Sequence, residues 1–183
     1  MAASEIIEVS PKLKLAARRA YERGRLQGAL LRGAVATLLA TPGFLACGQS
    51  RWAAVCLAGF ALVVGAGRMR GEGYADGSQA GALAGILPCL LPVSFRAIDP
   101  ALCTLLFANG LWICGAGGAA AGVILGLRSR AAGGLPFWGS ALAALGFAAS
   151  IGCLPAGAMG FAGLALGVIA GGAPVLVARR ALA

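Results

Sequence analysis

The 183-residue chain contains no histidine, and that absence removes a large part of ordinary protein chemistry. Without an imidazole the chain alone assembles no histidine-ligated haem, zinc or iron centre, and no Ser–His–Asp or Cys–His nucleophile. Acids are nearly as scarce. Glu5, Glu8, Glu22, Glu72, Asp76 and Asp99 are the whole set, and each falls at a chain end or between apolar segments. Proton-coupled pumps and transporters place a carboxylate or histidine inside the membrane as the relay, so this chain lacks the group on which such a mechanism runs. Phosphate-cradling loops are missing too, because the many Gly-x-x-x-Gly spacings sit in apolar sequence with no Lys-Ser following them.

Charge as a whole is sparse. Only 11% of residues are charged and 60% are apolar, against about a quarter and about half in a soluble globular domain. Polar surface of that extent does not cover a water-soluble ball, so the composition points to a membrane protein. The net charge of +9 comes from basic residues that cap apolar runs. They do not line one face with interleaved aromatics, so anionic lipid head groups are the expected partner and nucleic acid is not.

The placement of those basic residues sets a topology. Every Lys and Arg except Arg32, near the inner end of the first apolar run, and Arg51 and Arg96 falls in one of four clusters: Lys12 to Arg25, Arg68 with Arg70, Arg128 with Arg130, and Arg179 with Arg180. Between successive clusters lies a pair of apolar runs, the distribution left when basic loops stay on the cytoplasmic side. The expected fold is all-α: a polytopic bundle of six transmembrane helices in a bacterial inner membrane, with both termini cytoplasmic. The spans are Gly28–Cys47, Trp52–Gly67, Ser78–Phe95, Pro100–Leu127, Leu135–Leu154 and Ala156–Ala178. The second is short against the roughly 20 residues that cross the hydrocarbon, and it is retained because it returns the chain to the side of Arg68 and Arg70. No cleavable signal peptide is expected, since the first apolar run begins only after a long polar stretch.

The chain therefore divides into a basic N-terminal segment, 1–27, a transmembrane domain, 28–178, and a short tail, 179–183. Ser10 to Leu26 reads as a basic amphipathic helix with Ser10 as N-cap and Pro11 in the first turn. It either lies in the head-group layer or continues into the first span. Tyr21, Gly24, Gly28, Ala29 and Leu30 recur at the same spacing as Tyr74, Gly77, Gly81, Ala82 and Leu83, which suits a fold built as three helical hairpins.

Glycine is what the chain has in excess, with 30 residues. Gly77, Gly81 and Gly85 recur every fourth residue, as do Gly118, Gly122 and Gly126, and again Gly163, Gly167 and Gly171. Each set forms a shallow groove on one helix face that admits another backbone. The grooves either close the chain's own bundle or join subunits, with the last span the first candidate for an oligomer contact.

Six cysteines and one amide are the remaining candidates for chemistry. Cys47, Cys56, Cys89, Cys103 and Cys153 fall toward the outer side of the expected spans, Cys114 falls near the middle, and Asn109 lies within the fourth span. Cysteine is a small apolar residue at home in a packed core. On an oxidising outer face a pair such as Cys47 with Cys56 could also form a disulfide, and thiols bind soft metals without histidine. Leu87-Pro88-Cys89-Leu90-Leu91-Pro92 resembles the Pro-Cys-x-x-Pro element of the membrane thiol–disulfide transporters of cytochrome c biogenesis. In that family a second such element lies in the other half of an inverted repeat. Gly152-Cys153-Leu154-Pro155 is the counterpart available here, with a different proline spacing and without the family's span order. The resemblance implies a thiol relay through Cys89 and Cys153. Against it, no basic residue adjoins Cys89 in sequence to activate the thiol, so the two cysteines are expected far apart or unpaired.

The sequence thus reads as a non-enzymatic membrane protein without a cofactor, acting as a structural or partner subunit or as a homo-oligomer. A channel or carrier for a small neutral or soft-metal solute, lined by Asn109, Cys89, Cys103, Cys114 and Cys153, is the alternative, and the thiol relay is a further one.

Overall fold

The computed structural model describes residues 11–46, 51–98, 110–129, 134–153 and 156–181, and these are helical almost throughout. Six helices follow in order: α1 Pro11–Ala46, α2 Arg51–Arg70, α3 Glu72–Ile98, α4 Gly110–Arg128, α5 Leu135–Cys153 and α6 Gly157–Ala181. Four of them, α2, α4, α5 and α6, are long and apolar enough to cross a membrane. The second expected span, short in sequence, belongs to a helix of 20 residues. The expectation of six spans is met by four on length and apolarity. The other two helices carry polar openings, α1 through its basic first turns and α3 through Glu72, Asp76, Ser78 and Gln79.

α1 runs for 36 residues without a break. The amphipathic segment is therefore the first part of the same helix that forms the first apolar run, and Ser10, its expected cap, lies outside the described residues. Nothing between Arg25 and Gly33 interrupts the helix, since a glycine in a helix interior costs only about 1 kcal/mol relative to alanine. Arg25 ties it to its neighbour: one Nη2 donates to the carbonyls of Arg68 and Met69, which close the end of α2. Antiparallel packing continues along the pair, with Gly33 against the Ala61 carbonyl and Gly65 against that of Ala29.

Beyond α2 the pairing skips a helix. α3 packs most extensively on α5, and α4 on α6, while α5 and α6 scarcely touch. The expected hairpin arrangement thus describes α1 with α2, holds more loosely for α3 with α4, and fails for α5 with α6. Both skipped pairs are parallel. Along α3, Gly77 meets Phe137, Gly81 meets Ala141 and Gly85 meets Ala148; along α4, Gly118 meets Leu164, Gly122 meets Val168 and Gly126 meets Val175. α4 runs antiparallel to α3, since Gly117 lies against Pro88 while Arg128 at the end of α4 lies beside Asp76 near the start of α3, so α3 to α6 alternate in direction.

A consequence is that the basic ends collect at one end of the bundle. The C-termini of α2, α4 and α6, bearing Arg68, Arg70, Arg128, Arg179 and Arg180, lie beside the N-termini of α3 and α5. Gly71 makes the turn from α2 to α3 with φ of 122°, a conformation L side chains rarely adopt.

The interior is built from small residues. Ala80, Ala84, Ala121 and Ala141 are buried around Phe137, Leu125 and Leu145, and Ala36, Ala40, Ala144 and Ala148 around Phe60 and Ile151. Large apolar side chains point outward: Leu38, Leu62, Trp112 and Ile169 are each more exposed than buried. Serine and threonine hydroxyls are satisfied within their own helices, as where Thr37 Oγ1 donates to the Gly33 carbonyl at 2.7 Å and Ser140 Oγ to that of Pro136 at 2.8 Å.

Candidate functional site

The glycine grooves are filled from within the chain. A Cβ on Gly81 would come within 2.7 Å of the Ala141 carbonyl carbon, and one on Gly85 within 2.6 Å of the Ala148 Cβ. On α4, a Cβ at Gly122 would lie 2.7 Å from the Gly172 nitrogen, and one at Gly126 would lie 2.9 Å from the Val175 Cβ. The last helix answers in kind. Gly163, Gly167 and Gly171 press on the backbone of Leu111, Gly115 and Ala119, so the α6 groove already holds α4. Gly77 and Gly118 complete the two seams against Phe137 and Leu164. These approaches bring main chains into direct van der Waals contact, the principal source of helix association where lipid is as apolar as the side chains.

One glycine outside the four-residue series governs the cysteines. Gly152, near the end of α5, lies against α3, where a Cβ would stand 2.5 Å from the Pro88 carbonyl oxygen and 3.0 Å from the Cys89 Cα. Cys89 is buried there, among Phe60, Ala148 and Ile151. The next residue of α5, Cys153, turns to the opposite side. Its thiol donates to the Sγ of Cys114 on α4 at 2.9 Å. Ala149 and Leu164 enclose the two sulfurs, Ala156 packs against them, and a Cβ on Gly160 would stand 3.3 Å from the Cys114 sulfur.

The sulfur that meets Cys153 thus belongs to Cys114, whereas the thiol-relay resemblance implied Cys89 and the surroundings of Cys89 implied that it and Cys153 stay apart or unpaired. Cys114 stands level with Cys153, the last residue of α5, and the residues from Pro100 to Asn109 that precede it in the expected fourth span lie outside the described residues. Cys56 is half-buried on α2 beside the Phe60 cluster. Cys47, Cys103 and Asn109 lie outside the described residues. Among the described residues no group of three or more cysteine, aspartate or glutamate side chains is arranged to hold a metal.

A second concentration of polar groups lies at the basic end. Asp76 and Gln79 of α3, Leu127 and Arg128 of α4, Phe137 of α5 and Arg179 of α6 line a cavity of about 310 Å³. Arg179 is anchored by its Nη1, which donates to the carbonyls of Gly126 and Ser129. It thereby satisfies main-chain acceptors that the end of α4 leaves open, a favourable place for a cation near the negative end of the helix dipole. No sequence motif announces this cavity, because its charged residues come from three helices.

Set against protein-family models, curated proteins and solved structures, the chain matches none of them.

Proposed function

We propose that this chain is a non-enzymatic integral membrane protein of a bacterial inner membrane, with both termini cytoplasmic, serving as a structural or partner subunit of a membrane assembly. The observation that carries the reading is the distribution of side-chain size. Alanine and glycine fill the interior, while Leu38, Leu62, Trp112 and Ile169 turn outward at 72%, 71%, 76% and 65% exposure. Such a surface is costly in water and neutral in lipid.

All six helices cross in this reading. α3 is held among α2, α4 and α5, and in its polar opening Ser78 is buried while Glu72 and Asp76 stand exposed at the basic end. The arginine-rich end supports a cytoplasmic orientation, and anionic head groups are its natural company. Because the α6 groove is occupied by α4, contacts with other subunits or a second copy fall to the large outward side chains.

Extraction from native membranes in a mild detergent tests the subunit role. A particle of discrete mass well above the 18.0 kDa chain is expected. A monomer that also conducts a solute in liposomes overturns it in favour of passage.

A second reading, a thiol–disulfide relay, has one observation in its favour, the contact of Cys114 with Cys153. Its relay pair is then Cys114 and Cys153. Retention of reduced thiols in membranes exposed to an oxidising periplasm speaks against it, and a partner-dependent change of their redox state speaks for it.

A further inference from the structure

We propose that the cavity at the arginine-rich end binds a phosphoethanolamine group, with the phosphate on Arg128 and Arg179 and the ammonium on Asp76. The inference goes beyond the subunit role and rests on the bundle being embedded in a membrane.

The cavity holds both signs of charge without neutralising them. Among the described residues the ion pair is Arg18 with Glu22, and Asp76 forms none with either arginine across the same 310 Å³. Opposite charges that share a cavity yet stand apart leave room between them for a ligand that bears both. A simple anion would meet the Asp76 carboxylate, and a simple cation would meet two guanidinium groups.

Arg179 is also prepared for the task. Its Nη1 is committed to the Gly126 and Ser129 carbonyls, which fixes the plane of the guanidinium and leaves Nε and Nη2 as donors for a phosphate oxygen. Gln79 adds an amide at the rim. Phe137 is buried beneath the cavity, and Leu127 is more than half exposed beside it, so a polar head and the apolar chain attached to it would both find suitable surroundings. The same head group exists on a lipid and free in water, and the site's chemistry is common to both.

Native mass spectrometry of the purified full chain in detergent tests this with phosphatidylethanolamine, phosphatidylglycerol and phosphatidylcholine offered at equal concentration, and separately with O-phosphoethanolamine. Phosphatidylethanolamine should be retained in preference to the other two by about tenfold, the scale of one hydrogen bond to a charged group. Asp76→Asn should abolish that preference, and Arg128→Gln should weaken retention of all three lipids. Both substitutions are at exposed positions, and an unchanged circular dichroism spectrum verifies the fold. Equal retention of the three lipids without binding of O-phosphoethanolamine, or a preference that survives Asp76→Asn, overturns the proposal. Binding of O-phosphoethanolamine that is sensitive to Asp76→Asn, together with no lipid preference, upholds the head-group chemistry and identifies a soluble source. None of these results bears on whether the bundle spans a membrane, which reporter fusions decide independently.

Discussion

The Sγ atoms of Cys114 and Cys153 lie 2.9 Å apart, on two helices that otherwise scarcely touch. Each helix is held by another partner, α4 by α6 and α5 by α3, and those packings set the separation of the two thiols. Ala149 and Leu164, both apolar, enclose the two sulfurs. The pair is close enough for a bond.

Treatment of the detergent-purified chain with a small membrane-permeant oxidant such as diamide should therefore join these two residues. A disulfide requires the sulfurs to close to about 2.05 Å, a small movement from their present positions. Peptide mapping should recover the Cys114–Cys153 cross-link in the wild type and in Cys89→Ser, and not in Cys114→Ser. A cross-link between Cys89 and Cys153 as the main product would show that the pairing is wrong.

Impermeant maleimide should leave Cys89, Cys114 and Cys153 unlabelled until the chain is denatured, since all three are buried. Rapid labelling of Cys153 in the folded protein, from either side of the membrane, contradicts this packing.

The glycine contacts make a graded prediction. Gly122→Leu and Gly167→Leu force side chains into main-chain seams and should destabilise the bundle, overpacking typically costing about 1 to 3 kcal/mol and sometimes more. Gly146→Leu is the control, because a Cβ at Gly146 meets nothing within 4 Å. Midpoints of unfolding in a denaturing detergent should fall for the first two and barely move for the third. Three equal midpoints would mean that the four-residue spacing carries no packing energy.

Arg179→Gln removes the guanidinium that closes α4. Amide exchange at residues 126–129 should quicken, with little change at the middle of the helix around Gly118. Uniform acceleration along α4 would indicate that Arg179 supports the whole α4–α6 pair.

Reporter fusions test the membrane orientation. A fusion at Ser50 should report the outer side and one after Ala183 the cytoplasm. A cytoplasmic Ser50 fusion would place both ends of α2 on one side and remove it as a span.

Much of the helix plan was legible in the sequence because its causes are local. Apolar runs and the basic clusters beside them depend only on the residues within each segment, so the six helices and the alternation of Arg68, Arg128 and Arg179 with the intervening turns could be anticipated. The spacing of Gly77, Gly81 and Gly85 likewise announces a groove, since periodicity is a property of one helix. What fills the groove is not local. Neighbours in sequence suggested hairpins, yet α3 takes α5 and α4 takes α6, because the contact free energy depends on how two surfaces interlock. For the same reason Cys153 meets Cys114 and not Cys89, on account of Gly152 bringing α3 to the other side of α5, and Asp76, Arg128 and Arg179 share a cavity that no spacing records. The sequence by itself determined which segments are helical and which ends are basic; only tertiary packing, in which backbones choose partners by close fit, decided which side chains stand together.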